Sequence, residues 1–246
     1  MKKISSILLF TAVLIASGCN KFLDRQPLDS ASSATFMQTE DEMNLALNGV
    51  YAAAFWQFPN NTPLLFAIES TTDLAIKRTG NAEDQVAMGD GGPFLISNSL
   101  PGTSWNQAYK LVTRANIMLE GMTKGQGNVS AARYARLRAE ALVLRAWGYY
   151  HIMGWFGDPV YFRKPLDPSE YETIGRTKVA TVVADLYRDL DEAVTGFDQS
   201  SAAPVIEYGR VNKGVALGLK ARLAMLIKDY ATAKAATQSV ISSNAY

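Results

Sequence analysis

The fold class of this chain follows from residues 139–159, AEALVLRAWGYYHIMGWFGDP. Positions 141–153 are apolar around nearly the whole circumference of a helix, so the sequence predicts a helix that is buried on most of its faces. Gly157 and Pro159 end this helix, because neither residue continues helical geometry. The helix is predicted to span residues 130–154. No run in the chain alternates convincingly between apolar and polar residues, so an all-α fold with almost no sheet is expected.

Helical signals recur on both sides of this stretch. Thr39 followed by Glu42 has the capping-box pattern and predicts the start of a first helix. Ser104 is the predicted N-cap of a second helix, and residues 177–197 have a clean amphipathic pattern. Charged residues lie largely off the apolar stripe of that last helix and are predicted to form a solvated face: Asp185, Arg188, Asp189 and Asp191.

The end of the chain has the pattern of a tetratricopeptide unit, a pair of antiparallel helices over about 34 residues. Residues 211–227 and 230–241 are predicted to form this pair. Small residues stand at its close-packing positions: Ala221, Ala224 and Ala233. The helices at 130–154 and 177–197 are predicted to form a second pair with a long insertion. An ordinary alanine-rich helical hairpin fits residues 211–241 as well, so that alternative stays open.

Residues 57–103 are predicted to be mostly irregular. Repeated Gly and Pro residues, such as Pro59, Gly80 and Pro93, interrupt regular structure there. Loops of this length inside a compact domain are usually functional or mobile. We therefore expect ligand contacts in or beside this region first.

The first nineteen residues have the organisation of a secretory signal peptide. Lys2 and Lys3 precede an apolar stretch that is shorter than the roughly 20 residues needed to span a bilayer. The segment ends in Ser-Gly before Cys19 and is similar to a bacterial lipobox, in which the cysteine is lipidated and the chain is cut before it. Residues 1–18 are thus the predicted signal peptide, Cys19 the lipidation site and residues 19–38 a tether. An ordinary signal peptide with an incidental cysteine is the alternative.

Charge and composition exclude several functions. Without Lys2 and Lys3 the mature chain has 24 − 2 = 22 basic and 23 acidic side chains, so it has no basic field to attract nucleic acid. Cys19 and His151 are the only residues of their kinds, which removes cysteine-based zinc clusters. His151 is predicted to be structural, and no metal or cofactor is expected.

Paired carboxylates were considered because glycosidases use two of them. The loop candidates are Glu69 with Asp73, Glu83 with Asp84, and Asp167 with Glu170. A helical chain with 23 acidic residues produces such pairs by chance, so no enzymatic activity is predicted. Glu140 is predicted to form a partly buried ion pair with Arg145.

Seven stretches, in order, resemble the SusD-like (RagB/SusD) family of outer-membrane lipoproteins. They are CNKFLDRQPLD at 19–29, ALNGVYAAAF at 46–55, ESTTDLA at 69–75, WNQAYKLVTRANIML at 105–119, AEALVLRAWGYYHIMGWFGDP at 139–159, VVADLYRDLDEAV at 182–194 and GRVNKGVALGLKARLAML at 209–226. The resemblance covers essentially the whole chain. It departs at residues 159–161, which are Pro-Val-Tyr where the family usually has Val-Pro-Leu. Family members also continue far beyond residue 246.

The resemblance implies that residues 39–246 are the N-terminal helical domain of a SusD-like α-α superhelix, truncated relative to the family. It implies a lipid-anchored protein that faces outward from the outer membrane of a Gram-negative bacterium. Such a protein binds glycans or peptides and passes them to a TonB-dependent transporter without making or breaking a bond. The alternative is a lipid-anchored tetratricopeptide scaffold that binds only protein partners.

Five residues are candidates for ligand contacts: Trp56, Phe58, Asp73, Trp105 and Asn106. A flat aromatic ring stacks on the apolar face of a pyranose, while amides and acids bind its hydroxyls. Trp105 also fits the apolar stripe of its helix, so a core position is the alternative for this side chain. Trp56 and Phe58 have the same alternative.

Overall fold

A computed structural model of the chain describes residues 36–57, 63–69, 71–74, 99–200 and 209–245. Its contacts divide the chain into two units, 1–36 and 37–246, and every helix given below lies in the second unit. Several predictions fall outside the described residues: the signal peptide at 1–18, Cys19, nearly all of the tether, Phe58, Glu83 and Asp84.

The described residues form seven α-helices: α1 (Glu40–Ala54), α2 (Leu64–Glu69), α3 (Ser99–Gly121), α4 (Ala131–Phe156), α5 (Val179–Gln199), α6 (Lys213–Leu226) and α7 (Tyr230–Ser242). Two short 3-10 segments lie at Met122–Asn128 and Pro168–Glu170. Extended pairing in these ranges is limited to two isolated bridges, Gln57 with Pro63 and Val160 with Arg176. The predicted all-α class is confirmed. Within the same ranges, none of the helices has the length and hydropathy needed to cross a bilayer.

The helices pack as three successive pairs. α1 packs on α3, α4 on α5 and α6 on α7, and neighbouring pairs meet where α3 contacts α4 and α5 contacts α6. Two of these pairs were predicted, and the first pair supplies the third neighbour that such repeats need to bury their faces. Ala221, Ala224 and Ala233 are buried at the α6–α7 contact, as expected of close-packing positions.

Helix α4 is the centre of the stack, because it contacts α1, α3, α5 and α6. Gly148 allows α3 to approach closely, since a Cβ atom there would lie 2.8 Å from Val112 Cγ2. Gly196 of α5 does the same for α4, with a Cβ position 2.7 Å from the Ala135 carbonyl oxygen. Helix α4 ends at Gly157, whose φ of 72° lies in the left-handed region that favours glycine.

Local signals placed some helix ends correctly and one wrongly. The capping box is confirmed, with Glu42 N–H donating to Thr39 Oγ1 and the Glu42 carboxylate accepting from Thr39 N–H. The predicted N-cap at Ser104 is wrong. α3 begins at Ser99, and the Ser104 hydroxyl donates to the Leu100 carbonyl inside the helix, at 2.8 Å. Pro101 is tolerated because the first-turn N–H groups have no partner within a helix. α2 also lies within the region predicted to be irregular.

Two predictions about charged side chains are wrong. Asp189 was assigned to a solvated face, but it is 1% exposed and binds Arg145 across the α4–α5 contact, with Nη2 to Oδ2 at 2.7 Å. Glu140 does not pair with Arg145. It contacts Arg136 and Arg210, at 3.2 Å each. A separation of five residues places Glu140 and Arg145 on different sides of α4, whereas four residues place Arg136 and Glu140 on the same side.

Candidate functional site

A continuous series of ring contacts lies where α3 begins and α4 ends, and it includes all four tryptophans of the chain. We call this series the aromatic cluster. Its members and ring-centroid distances are Trp147–Trp56 at 6.3 Å, Trp56–Trp155 at 5.7 Å, Trp155–Phe156 at 6.4 Å, Phe156–Trp105 at 5.1 Å and Trp105–Tyr109 at 4.6 Å.

Helical spacing and backbone contacts assemble the cluster. Trp147, His151 and Trp155 are spaced by four residues on α4, and Trp105 and Tyr109 are spaced by four on α3, so each set shares one helix face. The chain after α1 is held against α3 because the Gln107 amide donates to the Gln57 carbonyl, at 3.1 Å. This bond brings Trp56 to the helix ends.

A half-open cleft of about 290 Å³ adjoins the cluster. Its lining comes from α2 and the turn after it, the start of α3 and the end of α4: Ile68, Thr71, Leu100, Ser104, Trp155 and Phe156. Mostly apolar walls with a few polar groups are typical of small-molecule sites, which usually measure roughly 300–1,000 Å³. At about 290 Å³, the cleft lies at the lower limit of this range.

The predicted candidates occupy different depths. Trp56 is only 6% exposed and lies inside the cluster. Trp105 is half-buried beside Phe156, and Asn106 is exposed next to it. Asp73 is exposed on the turn whose Thr71 lines the cleft. The structure thus places Trp56 and Trp105 in one aromatic cluster, with Asp73 on a segment of the cleft wall.

His151 packs edge-on against Trp56 and Trp147, at 4.8 and 4.3 Å. Burial among these rings, together with the positive charge of Arg222, lowers the pKa of His151 to about 4. The imidazole is therefore neutral at pH 7. In the described ranges no three His, Cys, Asp or Glu side chains are grouped so as to hold a metal ion.

The candidate acid pairs differ in their contacts and exposure. Asp167 and Glu170 form a capping box around the short 3-10 segment, and Glu170 also pairs with Lys164 at 3.2 Å. Glu69 and Asp73 are both exposed. The contacts of Asp167 and Glu170 are those of a structural pair at a loop tip.

Sequence reasoning missed Tyr109, which links the cluster to the segment after α4. Its hydroxyl accepts from Val160 N–H at 2.8 Å and donates to the Val160 carbonyl at 3.1 Å. Burial raises the pKa of Tyr109 to about 12, against the opposing effects of the Val160 hydrogen bond and the charge of Arg176. The hydroxyl is therefore a neutral donor and acceptor. Its spacing of four residues from Trp105 was the signal that could have found it.

The segment at 160–163 is held by side chains instead of by a neighbouring strand. Tyr149 Oη accepts from Phe162 N–H at 2.9 Å and donates to the Phe162 carbonyl at 2.7 Å. Asn116 donates to the same carbonyl at 3.1 Å. Arg163 binds Asp189 with Nη2 to Oδ1 at 2.6 Å, which ties the segment to α5. These bonds satisfy backbone groups that would otherwise be costly to bury.

The two ends of the loop after α4 are closed onto each other beside Trp105. Thr177 N–H donates to the Pro159 carbonyl at 2.8 Å, next to the Val160–Arg176 bridge. Arg176 Nη1 donates to the carbonyls of Asp158 and Phe156, at 2.8 and 3.2 Å. The Arg176 guanidinium lies 5.6 Å from the centre of the Trp105 ring, within cation–π range. Nothing in the local sequence could have predicted this contact.

Stacked antiparallel helix pairs define an α-helical repeat protein. Residues 21–225 match the family model SusD-like_3, described as "Starch-binding associating with outer membrane". The chain belongs to this SusD-like family, and the resemblance found in its seven sequence stretches is confirmed.

The curated relatives of the chain are also named as SusD-like proteins. The chain is 25% identical over 235 residues to SusD-like protein P25 of Formosa agariphila, a match that covers 91% of this chain and 43% of that protein. It is 24% identical over 230 residues to a SusD-like protein of Bacteroides ovatus, covering 91% of this chain and 39% of the relative. The chain thus spans less than half the length of these relatives.

Solved structures share the fold. A SusD-like carbohydrate binding protein from Bacteroides fragilis superposes with a TM-score of 0.73 at 23% identity, covering 85% of this chain and 42% of that one. A laminarin binding SusD-like protein gives 0.68 at 21% identity, covering 82% and 43%. Surface glycan-binding protein A from Bacteroides uniformis gives 0.70 at 18% identity, covering 85% and 47%.

Proposed function

We propose that this chain is the N-terminal helical part of a cell-surface lipoprotein that binds glycans in the cleft beside the aromatic cluster. The observation that carries the proposal is the half-buried Trp105 ring, which packs on Phe156, a residue that lines a half-open cleft. Aromatic faces stack on the apolar faces of sugars. Relatives of the same fold that are named for laminarin and glycan binding favour a glycan over a peptide as the ligand.

Within this site the candidate residues have different roles. Trp105 is the stacking platform, while Asn106 and Asp73 are exposed and available to sugar hydroxyls. Trp56 supports Trp155 from inside the cluster, since their ring centroids are 5.7 Å apart and Trp56 is buried. Phe58 lies outside the described residues and remains a candidate ligand contact in this proposal.

The proposal extends to location and partner. Acylation of Cys19 anchors the protein to the outer membrane, facing outward, because several acyl chains together give stable membrane attachment. The bound glycan is passed to a TonB-dependent transporter. No bond is made or broken in this process, so the protein acts by binding and delivery.

Affinity gel electrophoresis and calorimetry against a panel of glycans test the site. In the full-length protein, Trp105→Ala should lower the affinity for the retained glycan about tenfold or more, equivalent to about 1.4 kcal/mol. Tyr230→Ala is the matched control, because Tyr230 is 61% exposed on α7, in a different helix pair from Trp105.

Unchanged binding by Trp105→Ala, with wild-type circular dichroism, would contradict the assignment of the site. If no glycan is retained but an envelope protein is pulled down by both variants, the scaffold alternative replaces the proposed function.

A further inference from the structure

The position of Arg176 gives the proposed glycan site a fixed positive charge. Its guanidinium lies over the Trp105 ring at 5.6 Å. Tyr109 and Phe156 pack against other parts of the same ring, at centroid distances of 4.6 and 5.1 Å. A sugar that reaches the exposed part of Trp105 therefore lies beside the guanidinium.

The orientation of Arg176 is set by backbone bonds that leave part of its donor fork available. Both of its backbone hydrogen bonds, to the carbonyls of Phe156 and Asp158, use Nη1. Arg176 is itself exposed. The guanidinium presents five N–H donors in a planar fork. Within the part of the chain that the structure describes, Nε and Nη2 have no hydrogen-bond partner and can meet a planar anion.

The Asp158 carboxylate is engaged mainly by groups other than Arg176. It accepts from Lys178 Nζ at 2.8 Å and from Val179 N–H at 3.0 Å; these bonds lower its pKa, and the charge of Arg176 lowers it by a smaller amount. Among the described residues no carboxylate lies within ion-pair distance of Arg176.

We propose that the site selects acidic glycans, in which a carboxylate or sulfate group pairs with Arg176 while the sugar ring stacks on Trp105. This inference rests on the proposed function, since it requires a glycan at Trp105. Charge-assisted bonds between a guanidinium and a carboxylate or sulfate are short, directional and about twice as strong as neutral ones. A neutral glycan of the same shape keeps the stacking contact and loses the charged pair.

Two matched pairs of probes separate charge from shape: polygalacturonate with its methyl ester, and sulfated laminarin with laminarin. Calorimetry on the full-length protein should give about a tenfold preference for the acidic member of at least one pair. High salt should reduce that preference, because salt screens charges at an exposed site. Equal affinity within both pairs, or a preference that salt does not change, overturns the inference.

Variants assign the preference to Arg176. In Arg176→Gln the acidic and neutral members of each pair should bind with equal affinity, whereas Arg176→Lys should retain part of the preference because the charge remains without the fork. Lys164→Gln makes the same charge change on the same loop, where Lys164 is paired with Glu170. If Lys164→Gln lowers the preference as much as Arg176→Gln does, the effect is one of overall charge and the inference fails.

Failure of the inference is distinguishable from failure of the proposed function. Equal affinity for acidic and neutral members, with both weakened by Trp105→Ala, overturns the selectivity and leaves glycan binding in place. Binding that is indifferent to Trp105→Ala, or absent for every glycan, overturns both.

Discussion

Replacing Asp189 by Asn should destabilise the protein far more than an ordinary surface substitution. Asp189 accepts from Arg145 Nε and Nη2 at 3.1 and 2.7 Å, and from Arg163 Nη2 at 2.6 Å. The Asp189 and Arg145 side chains are 1% and 4% exposed, so the amide of the variant leaves a buried guanidinium without a counter-charge. Breaking a buried pair in this way costs about 3–5 kcal/mol. Asn116 Oδ1 still accepts from Arg145 Nη1 at 3.0 Å, so the loss of unfolding free energy should lie at the lower end of this range.

Urea unfolding followed by circular dichroism and tryptophan fluorescence measures this loss. The midpoint should fall without a change in the slope m, because the surface exposed on unfolding is unchanged. Asp191→Asn is the matched control on the same helix, since Asp191 is 61% exposed and pairs with Lys220 at the surface. Its loss should be at most about 1 kcal/mol. If the Asp189 variant loses no more than the Asp191 control, the reasoning about burial is refuted.

Three further predictions concern packing, pH and the anchor. Gly196→Ala should lower the unfolding free energy by about 1–3 kcal/mol in the same urea assay, because its Cβ would lie 2.7 Å from the Ala135 carbonyl oxygen. A Cβ atom at Gly218 would have no atom within 4 Å, so Gly218→Ala should not lower the unfolding free energy. Equal losses for the two variants would contradict the packing argument. The pKa of His151 is lowered to about 4 in the folded state from about 6.5 when unfolded, so the unfolded state binds more protons and stability falls as pH drops from 6.5 towards 4. His151→Gln should flatten the dependence of the unfolding free energy on pH between pH 7 and 4. If the slope is unchanged in this variant, groups other than His151 cause the dependence. Cys19→Ser should move the expressed protein out of the membrane fraction, and mass spectrometry of the wild type should find acyl chains on Cys19; an unmodified thiol would exclude the anchor.

Local sequence patterns were sufficient for most helices. The 3.6-residue apolar period and the Thr39–Glu42 capping box act within one or two helical turns, so neighbours in the sequence decide them. The start of α3 was misplaced because Pro101 and Gly102 suggested a break, although a first helical turn accepts proline. Leu100 and Ser104 are buried there, and that packing is not visible in a local pattern.

The candidate site was predictable only in part. Trp56 and Trp105 were identified as aromatic residues beside an irregular region, and the structure brings both into the aromatic cluster. Tyr109 was detectable from its spacing to Trp105, but Arg176 was not, because its contact with Trp105 depends on how the loop after α4 closes.

Sequence patterns were sufficient to predict the helical class, two of the three helix pairs and the family, because helical periodicity and motif order are local properties of the chain. The burial of charged side chains and the surroundings of Trp105 depend instead on how the helices and loops pack. Arg145 meets Asp189, and Arg176 meets Trp105, through contacts between elements distant in sequence. An amphipathic pattern indicates which face of a helix is apolar on average. A charged side chain can nevertheless be buried when a neighbouring helix supplies a side chain of opposite charge.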